Sequence, residues 1–145
     1  FIGLTLGHTR GHIARSIMEG IAYLAREIID VIKSLGVDIK EIRLLGGAAK
    51  SELWAKIKAS IWNMKVKRMK ELDAAPLGAA ILAGLGEGIF KDYGEAIERM
   101  VKVIGVVDPI DEWVRLYERM YRAYLLLADS LEKVMTKIYK EWGFV

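Results

Sequence analysis

Apolar residues recur every three or four positions over 13–35 and again over 113–142, and these two runs frame the chain. In the first, Ile13, Ile17, Ile21, Leu24, Ile28, Ile32 and Leu35 fall on one face of a helix that starts after Gly11 and that Gly36 stops. Gly20 lies inside it, where glycine costs about 1 kcal/mol relative to alanine, so a close packing partner is expected there. In the second run, Trp113, Leu116, Met120, Tyr124, Leu127, Leu131, Val134, Ile138 and Trp142 make one stripe on a helix beginning at Asp111. An aromatic stripe at that spacing reads as core.

Shorter patterns fill the middle. Phe1 to Leu6 reads as a short extended lead, and Ile39 to Leu45 as a strand that runs into Gly46-Gly47-Ala48-Ala49-Lys50. A helix over 51–63 follows, with Leu53, Trp54, Ile57 and Ile61 inward, Lys56 and Lys58 outward, Ser51 as N-cap and Glu52 in the first turn. Met64 to Met69 alternates as an exposed or edge strand would. Asp73 to Gly84 is a helix of small apolar residues, capped by Asp73 and with Pro76 in its first turn. It is thin enough to lie against the sheet or beneath a ligand. Gly84 to Gly88 reads as its cap and turn, Tyr93 to Val103 as a shorter helix, and Asp108-Pro109 as a break.

Composition narrows the class. A chain of 145 residues, 53% hydrophobic and 28% charged with two prolines, describes one globular domain, and no segment reaches the uncharged length of a membrane span. Zero cysteines removes disulfides, thiolate metal sites and cysteine nucleophiles, and makes the cytoplasm the default compartment. The first residue is Phe1, with no initiator methionine or leader, so the chain is expected to be cut from something longer. A net charge of +3 permits phosphate-bearing ligands but falls short of a nucleic-acid-binding face. The alternative patch for nucleic acid is Lys65, Lys67, Arg68 and Lys70, which would bind with steep salt dependence. His8 and His12 lie four apart, but no third metal ligand is near. Glu19 and Glu27 read as solvated helix charges, one of which pairs with Arg15 or Arg26.

The chemistry-bearing stretch is the glycine turn. Glycines let backbone approach a ligand, and the helix after Ser51 aims unpaired N–H groups and its positive dipole end at the loop, where an anion could sit. Glycine could equally serve there only to supply a positive φ. No Gly-Lys-Ser/Thr follows at Walker spacing, and no Gly-x-Gly-x-x-Gly is present.

Gly3-Leu4, then His12-Ile13, Ser16-Ile17-Met18-Glu19-Gly20, Gly46-Gly47-Ala48-Ala49-Lys50-Ser51 and Leu77-Gly78-Ala79-Ala80 together resemble the FGGY carbohydrate kinases, with 1–12 most like the xylulokinase branch. The likeness covers nearly all of 1–145 as that family's C-terminal, nucleotide-binding domain. It implies an α/β chain: the C-terminal half of an actin-like ATPase (ribonuclease H-like) fold, truncated, mostly helical with a short sheet. It further implies MgATP as phosphoryl donor, with Gly46, Gly47 and Ala48 beside the nucleotide and Ser51 near the adenosine. The acceptor is a sugar hydroxyl, on a ketopentose such as xylulose. The sugar site, the general base and the first phosphate loop belong to the missing N-terminal sugar-binding domain, so no catalytic or metal-binding residue is assigned here and the chain alone is expected to be inactive. Asp73 and Pro76 depart from the usual Glu and Ala but keep a capped helix start. Missing strands would leave Ile39 to Leu45 with an open edge, which predicts a homo-oligomer. The competing class is a non-enzymatic helical interaction or oligomerisation module that binds a partner through the final aromatic stripe, Trp113 and Tyr117 included.

Overall fold

The computed structural model describes residues 1–70 and 73–143. In chain order the elements are α1 (Arg10–Ser34), β1 (Ile42–Leu44), α2 (Gly47–Lys50), α3 (Glu52–Trp62), β2 (Val66–Met69), α4 (Ala74–Gly86), α5 (Tyr93–Met100), β3 (Val103–Val107) and α6 (Asp111–Trp142). The sheet order is β1-β2-β3, with β1 and β2 parallel and β2 and β3 antiparallel.

β2 is therefore the middle strand, not the edge strand its lysines suggest. The strand that covers it, β3, begins at Val103, the last residue of the helix expected over Tyr93 to Val103, and continues through 104–107, to which the sequence reading gives no element; Val103, Ile104, Val106 and Val107 are β-branched and favour the strand. Three of the four cations of the β2 region have partners, while Lys65 and Lys70 are exposed. Lys65 pairs with Asp108 at 3.0 Å, Lys67 pairs with Glu41, and Arg68 turns to backbone carbonyls. β1 is three residues long, shorter than the run 39–45, and it has a strand on one side only among the described residues.

The main core forms where α1 and α6 pack on α3. α3 presents Ala55 and Ala59, each fully buried, so that its neighbours approach closely, and Ile57, Ile61 and Trp62 fill the space around them. The Trp62 indole donates to the Ala22 carbonyl of α1 at 2.9 Å, and buried Ser60 accepts from the Ile110 N–H at the start of α6 at 3.1 Å. Leu53, expected inside, is exposed.

α1 turns a different face inward from the one its isoleucines mark. Ala22 and Tyr23 are buried with Met18, Ala25 and Ile29 packed beside them, whereas Ile17, Ile21, Leu24, Ile28 and Leu35 are exposed. The helix carries two apolar stripes, and the one with small Ala22 and hydrogen-bonding Tyr23 fits α3 and α6. Polar contacts fasten it to α6, among them the Tyr121 hydroxyl donating to Asp30 at 3.0 Å and two centred on arginines. Arg15 bonds Glu19 at 2.8 Å and the Tyr117 hydroxyl at 2.8 Å, while that hydroxyl donates to Glu19 at 2.7 Å. Glu19 is thus half-buried in a network, not a solvated charge. Arg26 bonds Glu118 at 2.6 Å and the Ile61 carbonyl at 3.1 Å and lies 4.1 Å over the Tyr121 ring.

The aromatic stripe of α6 reaches the core only at Trp113 and Tyr124; Leu116, Met120 and Leu127 of the same stripe are exposed, and the inward face carries Tyr117 and Tyr121 instead. Tyr117 and Tyr121 are buried and Trp113 and Tyr124 partly so, but every residue from Asp129 to Trp142 is exposed, Leu131, Val134, Ile138 and Trp142 among them. At about 1.5 Å per residue a 32-residue helix runs to about 48 Å, far beyond the reach of the 11-residue α3 it packs on.

α4 does not lie against the sheet. It packs on α5 as a separate small cluster built from Ile81, Phe90 and Ala96. Asp73 stands at its N-cap without a side-chain cap bond, and the helix closes at Gly86 with Gly88 at φ +71°, the cap and turn expected. The close approach expected at Gly20 is found at Gly84 instead. A Cβ at Gly20 would meet nothing within 4 Å, whereas one at Gly84 would stand 2.5 Å from the buried Phe90 ring. Gly84→Ala should therefore lower stability by about 1–3 kcal/mol through overpacking, read as a fall in the urea midpoint; an unchanged midpoint would show that the ring yields freely.

Candidate nucleotide-binding loop

β1 ends at buried Leu44, and the chain then reverses into two short helical starts. Gly46 sits at φ +71°, ψ −158°, a backbone region closed to residues with a Cβ, so a glycine is required there. Gly47 opens α2 on the exposed side, and a Cβ built on it would meet nothing within 4 Å. Ala48 is half-buried against the core and Ala49 is fully buried, which anchors the loop from below. The Ala49 N–H closes the turn on the Gly46 carbonyl at 3.1 Å. The N–H groups of Gly47 and Ala48, first in their helical turn, have no carbonyl within that turn to bond.

Ser51 ends this turn and caps the next helix, its hydroxyl accepting from the Trp54 N–H at 3.2 Å. The hydroxyl proton is left to donate elsewhere. Glu52 in the first turn of α3 pairs with Lys56 at 2.7 Å. That bond first, then the charges of Lys56 and Arg68, holds its carboxyl below the usual carboxylate range, so it stays ionised and opposes a phosphate at this helix end. The loop thus brings together Gly46, Gly47, Ala48 and Ser51 in a form suited to backbone and hydroxyl contacts with an uncharged group.

Sequence reasoning missed two neighbours of the loop. Arg68 of β2 bonds the Ala49 carbonyl at 2.7 Å and the Lys50 carbonyl at 3.2 Å. The Trp54 indole N–H is buried with no partner, and Lys58 lies 4.7 Å over that ring, its pKa lowered by burial.

Other candidate groups lie elsewhere. His8 and His12 stack edge to face at 5.4 Å, and each Nδ1 accepts from a threonine N–H three residues earlier, Thr5 at 3.0 Å and Thr9 at 3.1 Å. The second pair is the capping box that starts α1. Both histidines border a cavity of about 830 Å³ between α1 and α6, which also touches Arg15, Glu19, Tyr23 and Met120 and none of the loop residues. No helix among the described residues is long and apolar enough to cross a membrane.

Residues 1–87 match the FGGY family of carbohydrate kinases, C-terminal domain. The chain belongs to this family. The xylulose kinase of Staphylococcus epidermidis is 38% identical over 124 residues, which is 86% of this chain and 25% of that protein. The crystal structure of xylulose kinase from Rhodospirillum rubrum superposes with a TM-score of 0.79 at 27% identity, over 92% of this chain and 27% of the other. Plasmodium falciparum glycerol kinase with ADP superposes with a TM-score of 0.70 at 26% identity, over 85% of this chain and 25% of the other. The chain thus spans about a quarter of the length of these relatives. Its fold is that of the C-terminal domain of sugar kinases of the actin-like ATPase type, mostly helical around a small three-stranded sheet.

Proposed function

We propose that this chain is the nucleotide-holding part of an ATP-dependent sugar kinase, and that Gly46, Gly47, Ala48 and Ser51 meet the adenosine side of ATP. The observation that carries the reading is the Gly46 backbone, whose glycine-only conformation starts a helical turn at exposed Gly47 above a buried Ala49, leaving the first N–H groups of that turn without intrahelical partners. The bare side of Gly47 offers a flat approach for a ribose or base, and the ionised Glu52 disfavours placing phosphates at the same point. That one FGGY-type relative is a glycerol kinase with ADP supports the choice of ligand.

In the whole protein the reaction is transfer of the γ-phosphoryl group of MgATP to a sugar hydroxyl, driven by positioning and charge stabilisation between two domains. Xylulose is the proposed acceptor, since the relatives named above include xylulose kinases of two organisms. This chain supplies a fixed platform for the nucleotide. Among its described residues no group of three or more His, Asp or Glu side chains is placed to hold a metal ion. The N-terminal sugar-binding domain is the partner that completes the site, and the open edge of β1 supports pairing with a further strand, from that remainder or from a second copy. A cytoplasmic location fits such a metabolic role.

The test is calorimetric titration of MgADP into the chain, with Gly47→Val as the control. Binding is expected for the native chain, with loss of at least about tenfold in affinity for Gly47→Val, because a branched side chain would stand where the nucleotide approaches. Equal affinity in the two proteins would remove the loop from the site. The interaction-module reading predicts indifference to nucleotide, and its proposed contact Tyr117 is 2% exposed, buried where no partner reaches.

A further inference from the structure

We propose that Arg68 is a positioning residue for the Gly46–Ser51 loop, holding the loop in its ligand-ready shape from the neighbouring strand; the inference rests on the reading of that loop as the adenosine contact. The turn of α2 is four residues long and ends in carbonyls that no further helical turn can satisfy. The Arg68 guanidinium takes two of them, Ala49 at 2.7 Å and Lys50 at 3.2 Å, from 18 and 19 residues away in sequence. Its place is fixed by the sheet register. On one side it stands opposite Leu44, whose strand feeds the loop; on the other it stands opposite Gly105, which has no side chain to compete for the space.

Two carbonyls held by one rigid fork define an orientation that a single donor does not. With Ala49 and Lys50 fixed, the turn that displays the Gly47 and Ala48 N–H groups is held against rotation about the glycines Gly46 and Gly47. The charge serves a second end. Arg68 is a cation beside the ionised Glu52, behind Lys56 in its effect, and so it moderates the negative field at the mouth of the loop.

The experiment compares the native chain with Arg68→Ala and Arg68→Lys by amide hydrogen exchange without ligand and by MgADP titration. Exchange at the hydrogen-bonded Ala49 amide is expected to rise about tenfold or more in Arg68→Ala while the interior of α3 stays protected, and ADP affinity is expected to fall about tenfold. Millimolar guanidinium, but not sodium chloride of equal ionic strength, should restore part of that affinity. Arg68→Lys keeps the charge and loses the fork, so it should resemble alanine. A lysine variant equal to the native chain in both measurements overturns the proposal, as does Arg68→Ala with faster loop exchange and unaltered ADP affinity. If the native chain itself binds no ADP, the adenosine reading of the loop fails and takes the proposal with it; native binding with an indifferent Arg68→Ala sinks the proposal alone.

Discussion

Tyr117→Ala is expected to destabilise the fold by about 3–5 kcal/mol, the range for deleting a buried aromatic ring. Tyr117 is the largest fully buried side chain and is 2% exposed. Its ring meets Trp113 edge to face at 6.3 Å and Tyr23 at 6.2 Å, so truncation opens a cavity where α1 and α6 converge beside α3. The hydroxyl joins Arg15 to Glu19, and without it both lose one bond in a partly dry setting. For a chain of this size the loss is about 10–15 °C in melting temperature. Tyr117→Phe separates the two parts. It keeps the ring and leaves Arg15 and Glu19 still paired to each other at 2.8 Å, so it should cost only about 1–2 kcal/mol. Urea unfolding of both variants checks this, and an alanine variant within 1 kcal/mol of the native chain would show that the aromatic contacts contribute little.

The loop was legible because its signals are local. Gly46 must be glycine for its own φ and ψ, and Ser51 must be a cap for the N–H three residues on, whatever surrounds them. The turn at Gly86 to Gly88 was legible for the same reason. What failed was the choice between faces. Ile17, Ile21, Leu24 and Ile28 are more hydrophobic than Ala22 and Tyr23, and hydrophobicity pointed to the wrong stripe of α1. The inward stripe was selected by size and by hydrogen bonding to α6, neither of which shows in a 3.6-residue period. β3 was lost by extending the period of α5 through Val101 to Val103, its first residue, and leaving the β-branched run 104–107 that marks the strand without an element. With β3 absent from the reading, β2 became an edge and its cations became a patch. Arg68 could not be found from sequence, because its partners lie in another element and are main-chain carbonyls that carry no residue type.

Stability should also collapse on the alkaline side, above about pH 10. Burial pushes the Tyr117 and Tyr124 hydroxyls up to about 12, and it pushes those of Tyr23 and Tyr121 higher still. In the unfolded chain all four ionise near the ordinary value of about 10. Below that pH both states keep their protons and the folded state is at full stability. Above it the unfolded chain sheds protons that the folded chain must retain, so stability falls as pH rises, until the folded hydroxyls ionise in turn. Each fully shifted tyrosine contributes up to about 1.4 kcal/mol per pH unit, and Tyr23, Tyr117 and Tyr121 are at most 6% exposed. Against a total of about 5–15 kcal/mol, unfolding between about pH 11 and 12 is the expected outcome. The tyrosinate absorbance of the four rings packed between α1 and α6 should then appear together with the loss of helical circular dichroism, apart from that of exposed Tyr93 and Tyr139. Tyr23→Phe sharpens the test, because the Tyr23 hydroxyl is buried without a partner. Its removal should leave neutral-pH stability unchanged or raised and should move the alkaline midpoint upward. Ionisation of all six tyrosines while the helices persist would mean that the packed rings reach water without unfolding.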